Sequence, residues 1–196
     1  MQRYLILIFI AAIFASCRPT EFTPKPAGYF KIDTPAVHEY REFTYPGYPY
    51  TFEYPTYGVV ERDTVFIKDN PNNKYWLNIN VASLGAMINI TYLPIASKEN
   101  FMKMVNDAYG LSSFHEKKAD YIREEVYQNK YGVTGIVYTV GGNSASRFQF
   151  TATDSLHHFI RGALYFDVTP NADSLKPAAD FMERDINRFL ETIRFK

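Results

Sequence analysis

The strongest pattern of apolar positions lies at the C-terminus. Ala178, Phe181, Met182, Ile186, Phe189, Leu190 and Ile193 recur three or four residues apart, which predicts an amphipathic helix. Ser174 is placed to cap it, and Pro177 suits its first turn. A second helix is predicted between Ser97 and Gly110, with Phe101, Met104, Val105 and Ala108 on one stripe. Elsewhere the period is two. Tyr75–Val81, Met87–Leu93, Tyr121–Tyr127, Thr134–Val140, Arg147–Thr153 and Phe159–Val168 read as strands, and Val65-Phe66-Ile67 as a short one. Asp69–Asn73, Gly85, Lys130-Tyr131-Gly132 and Gly141-Gly142-Asn143 supply turns. Residues 58–196 therefore read as one α+β domain, a mostly antiparallel sheet packed by a mid-chain helix and a C-terminal amphipathic helix. No internal repeat and no second domain is visible.

Upstream the pattern changes. Pro19, Pro24, Pro26 and Pro35 hold the chain extended, because each fixes φ and restrains the residue before it. Residues 40–57 then hold six tyrosines and three prolines in eighteen positions. A solvated linker is poor in aromatics, so residues 17–57 read as a tether followed by an extended Tyr/Pro-rich arm. That arm either packs along its own domain or docks a partner through Tyr45, Tyr48 and Tyr50, tyrosine being enriched where protein surfaces meet.

The first sixteen residues are expected to be a lipoprotein signal peptide. Arg3 precedes an eleven-residue apolar run, Leu5–Ala15, and the small residues Ala15-Ser16 stand before Cys17. Spanning a bilayer takes roughly 20 apolar residues, so the run reads as a cleaved leader. Cys17, the only cysteine, is then the lipidation site, carrying palmitate-type acyl chains, and no intrachain disulfide is available. The sequence after Cys17, Arg18-Pro19-Thr20-Glu21, has no aspartate at its first position and no acidic run. It points to the periplasm-facing side of the outer membrane.

Charge and motifs narrow the function. With 21 basic and 21 acidic residues nothing points to nucleic acid. Gly142-Asn143-Ser144-Ala145-Ser146 lacks the second glycine of a nucleophile elbow, and no glycine-rich phosphate loop occurs. Of the histidines His38, His115, His157 and His158, the adjacent pair falls on opposite faces of a strand, so no metal site is expected. Glu124-Glu125 reads as a solvated strand end. No catalytic residue and no cofactor is assigned, although a hydrolase triad can assemble from distant positions. One polar surface stands out. Trp76, Asn78 and Asn80 share a strand face opposite Leu77, Ile79 and Val81, while Arg161 and Arg147 alternate with apolar neighbours on two other strands. If these faces coincide, they form a binding surface for a protein or a small polar ligand.

Two resemblances add to this reading. Phe52-Glu53-Tyr54-Pro55 followed by strands resembles the opening of the Mog1/PsbP-like α/β/α sandwich. Pro24-Lys25-Pro26-Ala27-Gly28-Tyr29-Phe30-Lys31-Ile32-Asp33, soon after a lipobox cysteine, resembles the gliding motility lipoprotein GldD family of the Bacteroidetes, as do the length and layout of the rest. The second resemblance implies a non-enzymatic outer-membrane lipoprotein required for gliding motility. It would act as an accessory or assembly component with the type IX secretion machinery, its partners the membrane and other gliding or secretion envelope proteins. The competing expectation is a periplasmic ligand-binding lipoprotein that uses the polar sheet face.

Overall fold

In the central strands, alternation sorts side chains onto two faces, and the register shows how far those faces extend. The computed structural model describes residues 28, 31–36, 38–62, 74–113 and 119–196. All the described strands and helices lie within the compact unit Lys31–Lys196. The strand expected at Val65–Ile67, the turn at Asp69–Asn73, the leader and Cys17 lie outside the described residues.

The elements are β1 (Tyr40–Phe43), β2 (Tyr50–Pro55), β3 (Val59–Arg62), β4 (Leu77–Val81), β5 (Ala86–Pro94), α1 (Lys98–Ser113), β6 (Ala119–Gln128), β7 (Thr134–Gly142), β8 (Phe148–Thr153), β9 (His158–Phe166), α2 (Ala172–Thr192) and β10 (Arg194–Phe195). Among the described residues they form a seven-stranded sheet, in the order β3-β4-β5-β9-β8-β7-β6, and a three-stranded sheet, β1-β2-β10. Every pairing is antiparallel. The expected α+β class, a mostly antiparallel sheet packed by two helices, is the class observed.

One cross-sheet row runs Leu77–Ile90–Gly162–Phe150–Val137–Glu125. Its central members are buried, and α2 and the small sheet cover this face, as ring pairs such as Phe150–Phe189 (5.2 Å) and Tyr50–Tyr92 (5.6 Å) record. The opposite row, Asn78–Asn89–Ala163–Gln149–Tyr138–Glu124, lies on the face that α1 partly covers. There Phe101 of α1 meets Phe159 edge-on at 6.2 Å. The helices therefore flank the sheet from both sides.

Two glycines mark close approach between strands. A Cβ on Gly162 would stand 2.0 Å from Cζ of Phe150, its cross-strand partner. At Gly135, opposite Tyr127, a Cβ would meet the backbone oxygen of Thr151 at 1.9 Å. Only hydrogen fits at either place.

The helix ends differ from expectation in two places. α2 starts at Ala172, with Asn171 as its cap. The Asn171 side chain accepts the Ser174 N–H at 3.1 Å. Ser174 is thus inside the helix, and Pro177 lies beyond the first turn. Pro177 has no N–H to offer the carbonyl of Asp173, four residues back. α1 is capped by Ser97 as expected, its Oγ accepting the Asn100 N–H at 3.1 Å. It runs through exposed Gly110 to Ser113, because Ser112 is buried and reaches Gln149.

The Tyr/Pro-rich arm is a β-hairpin, Tyr40 opposite Pro55 and Phe43 opposite Phe52. β10 pairs with its inner strand, Phe195 opposite Tyr50. Tyr50 and Phe52 belong to the same apolar cluster as Leu77, Ile88, Met182 and Phe189. Burying each such large side chain contributes about 1.5–3 kcal/mol, so this hairpin is part of the core.

Candidate functional site

The residues singled out from the sequence separate in space. Tyr50 is fully buried and Tyr48 nearly so, their hydroxyls donating to the carbonyls of Tyr75 and Lys74. Tyr45 alone of the three presents an open ring, 57% exposed. Trp76 is half-buried, its indole N–H donating to the Tyr92 carbonyl at 3.0 Å.

Asn78, Asn80 and Arg161 do share a sheet face, together with Asn89. Asn78 Oδ1 accepts from Asn89 at 2.8 Å, Asn80 donates to Glu61 at 2.7 Å, and Arg161 donates to Gln149 Oε1 at 2.7 Å. Arg147 leaves that face and reaches Asp180 of α2 at 3.4 Å. The expected patch with two arginines is therefore a patch with one. The reason is that Arg147 precedes β8 and turns toward the carboxylate across the sheet end.

Sequence reasoning missed a larger feature on the α2 side. β6 is the outermost strand, and α2 passes alongside it, leaving a groove of about 620 Å³. Tyr127, Val137, Ile186 and Leu190 give it an apolar lining, and Glu125, Glu183 and Glu191 bring in carboxylates. Glu125 also pairs with Arg123 at 2.9 Å. Four glutamates face one lysine and one arginine in the lining, although the whole chain is neutral. The arginine, Arg188, is already held by Glu53 at 2.6 Å. The only sequence signal was the charged run Arg123-Glu124-Glu125, which reads as solvated until the register turns Glu125 toward α2 and Glu124 away.

Asn129 closes one end of the groove. Its amide donates to the carbonyls of Leu190 (2.9 Å) and Ile193 (2.8 Å), and its oxygen accepts the N–H groups of Tyr131 (2.9 Å) and Val133 (3.1 Å). One side chain thereby satisfies the end of α2 and shapes the β6–β7 turn.

Most ionisable groups with displaced pKa values are engaged in packing; exposed Glu99, lowered by hydrogen bonds at the start of α1, is not. Asp185, buried on α2, has its carboxyl raised by burial, partly opposed by hydrogen bonds from Tyr57 and Tyr40. Tyr40 is pushed up to about 12, by burial first and then by its bond to Asp185. His158 is lowered, chiefly by burial, and its Nδ1 lies 2.8 Å from the Tyr92 hydroxyl. Among the described residues no group of three His, Cys, Asp or Glu is placed to hold a metal ion.

The family model of the gliding motility lipoprotein GldD matches residues 19–195. The chain belongs to the gliding motility lipoprotein GldD family. The resemblance drawn from residues 24–33 is thus the family found, and membership implies a lipoprotein held at a membrane through its lipid. Among the described residues no helix is long and apolar enough to cross a membrane. No curated protein matches the sequence. Among solved structures the chain is similar to cyanobacterial PsbP (CyanoP) from Synechocystis sp. PCC 6803, determined in solution. The two share 13% identity with a TM-score of 0.46, over 88% of this chain and 100% of that one.

Proposed function

We propose that this GldD family member is a non-enzymatic outer-membrane lipoprotein, anchored through Cys17 and facing the periplasm. In this reading it is an accessory or assembly component of gliding motility, working with the type IX secretion machinery. The observation that carries the proposal is the family match over residues 19–195. The geometry supports a binding rather than a chemical role: the buried carboxylate Asp185 is occupied by two tyrosine hydroxyls, and an open groove of about 620 Å³ runs beside an edge strand.

The test is a gene deletion complemented by wild type or by Cys17→Ala, scored for gliding and for type IX cargo export. Loss of either trait, rescued only by the lipidated form, is the expected result. Normal gliding and export in the deletion strain would overturn the proposal.

A second reading has its own observation. On the face of Asn78, Asn89 and Arg161, the Nε of Arg161 and the Nε2 of buried Gln149 find no hydrogen-bond partner among the described residues. Buried donors without partners are rare, and a small acceptor-rich ligand would satisfy them. Trp76 packs against the apolar cluster rather than on this face, so the reading is favoured if calorimetry detects binding of such a ligand that is lost in Arg161→Ala.

A further inference from the structure

The outer edge of β6 has no partner strand among the described residues, and a groove with excess negative charge runs beside it. An open edge offers a row of backbone N–H and C=O groups, to which an extended segment can add as a further strand. We propose that the C-terminal half of β6 receives an extended, basic segment of a partner protein, added as an eighth strand. This inference rests on the assembly role proposed above and names the chemistry of the partner.

Three observations fix that chemistry. The first is the period-two alternation any added strand must have. Side chains on one face of it would overhang the groove beside Glu125, Glu183 and Glu191, and those on the other would lie against Val126, which is 82% exposed. Lysine or arginine therefore suits the first set, and β-branched or aromatic side chains the second.

The second observation is the balance of the groove charges. Glu53 and Arg188 neutralise each other at 2.6 Å, which leaves Lys130 as the one other cation in the lining, against three glutamates. Glu125 pairs with Arg123 at 2.9 Å and Glu191 lies 3.8 Å from Arg188, but both keep most of their side-chain surface exposed, 63% and 68%, so a newcomer can still reach them.

The third observation argues against a second copy of this chain. β6 itself carries Asp120, Glu124 and Glu125 against Arg123, so antiparallel self-pairing would set net negative strands side by side, which is unfavourable. The same charges that discourage self-association favour a basic partner, the usual way an exposed edge is kept selective.

The test uses the full-length lipoprotein purified in detergent and three fluorescent nine-residue peptides: alternating Lys/Val, alternating Glu/Val, and Lys/Val with alternate backbone nitrogens methylated. Anisotropy is expected to show Lys/Val binding at least tenfold tighter than Glu/Val, with methylation abolishing it. Glu183→Lys and Glu191→Lys, separately, should each weaken Lys/Val binding several-fold. Amide exchange at those of residues 122–128 whose N–H points away from β7 should slow when the peptide is bound. Equal binding of all three peptides, or charge reversals without effect, would overturn the proposal. So would a concentration-dependent dimer, or protection of these amides in the free protein, which would assign the edge to a second copy or to this chain's own segment. These outcomes are independent of the deletion phenotype, so the partner chemistry and the motility role can fail separately.

Discussion

The Tyr57 hydroxyl donates to one carboxylate oxygen of Asp185 at 2.6 Å, joining positions 128 residues apart. Tyr40 donates to the other oxygen at 2.9 Å. Both tyrosines flank the N-terminal hairpin, and Asp185 sits in the middle of α2, so a single carboxylate pins the hairpin to the helix. His38 packs beside this point, 4.6 Å from the Phe181 ring. His38, two residues before β1, therefore lies where the hairpin is pinned to α2.

Removing one of these bonds should be measurable. A hydrogen bond to a charged acceptor contributes about 1.5–3 kcal/mol. Tyr57→Phe is expected to lower stability by about that amount in urea unfolding, with Tyr40→Phe somewhat smaller because its bond is longer. The double variant should lose more than the sum, since the second loss strands a buried carboxylate. A Tyr57→Phe effect near zero would show that the bond does not hold the hairpin.

The same carboxylate predicts a pH dependence. Burial raises the folded-state pKa of Asp185, while an unfolded aspartate titrates near ~3.9. Between those two values the native state binds more protons than the unfolded chain, so this residue's contribution falls as pH rises through that window. Asp185→Asn cannot lose a proton and should lack that fall. His38 and Arg184, whose charges favour the ionised form, and Tyr40, Tyr57 and Arg188 are present in both proteins. The stability difference, variant minus wild type, is therefore expected to shift in favour of the variant as pH rises from about 4, then level off. A difference that is flat, or that moves the other way, would contradict the burial argument.

Asn129 is expected to be a stability residue out of proportion to its size. Asn129→Ala removes two donors from the end of α2 and one acceptor serving two turn amides. At about 0.5–1.5 kcal/mol for each of the four bonds, the loss should be roughly 2–6 kcal/mol. For a chain of this size that is a Tm lower by about 4–24 °C, read by calorimetry. Because Asn129 also lines the groove, Lys/Val peptide binding should weaken in the folded variant.

How much of this could be read beforehand depended on whether the signal was local. The six strands predicted in 75–168 and both helices carry their own period, and each appears within a few residues of its predicted bounds. Ser97 works as a cap because capping is decided within four residues. The hairpin at 40–55 showed only a composition bias, since its pairing partner β10 and its anchor Asp185 lie more than a hundred positions away. Asp185 itself looks like any charged helix residue until Tyr40 and Tyr57 close over it. The groove was equally hidden, because it exists only through the order of strands that makes β6 the edge.

The tyrosines of the arm supply the last prediction. Replacing Tyr45, Tyr48 and Tyr50 together cannot separate docking from folding, because two of the three are core residues. Tyr48→Ser and Tyr50→Ser should each destabilise by about 3 kcal/mol or more, as truncation of a buried aromatic does. Tyr45→Ser should stay within about 0.5 kcal/mol of wild type, as surface changes usually do. If the hairpin also docks a partner, Tyr45 is the ring available to it. Tyr45→Ser would then weaken capture from solubilised envelope at unchanged Tm. Unchanged capture would leave the hairpin as core structure alone and direct attention to the β6 edge.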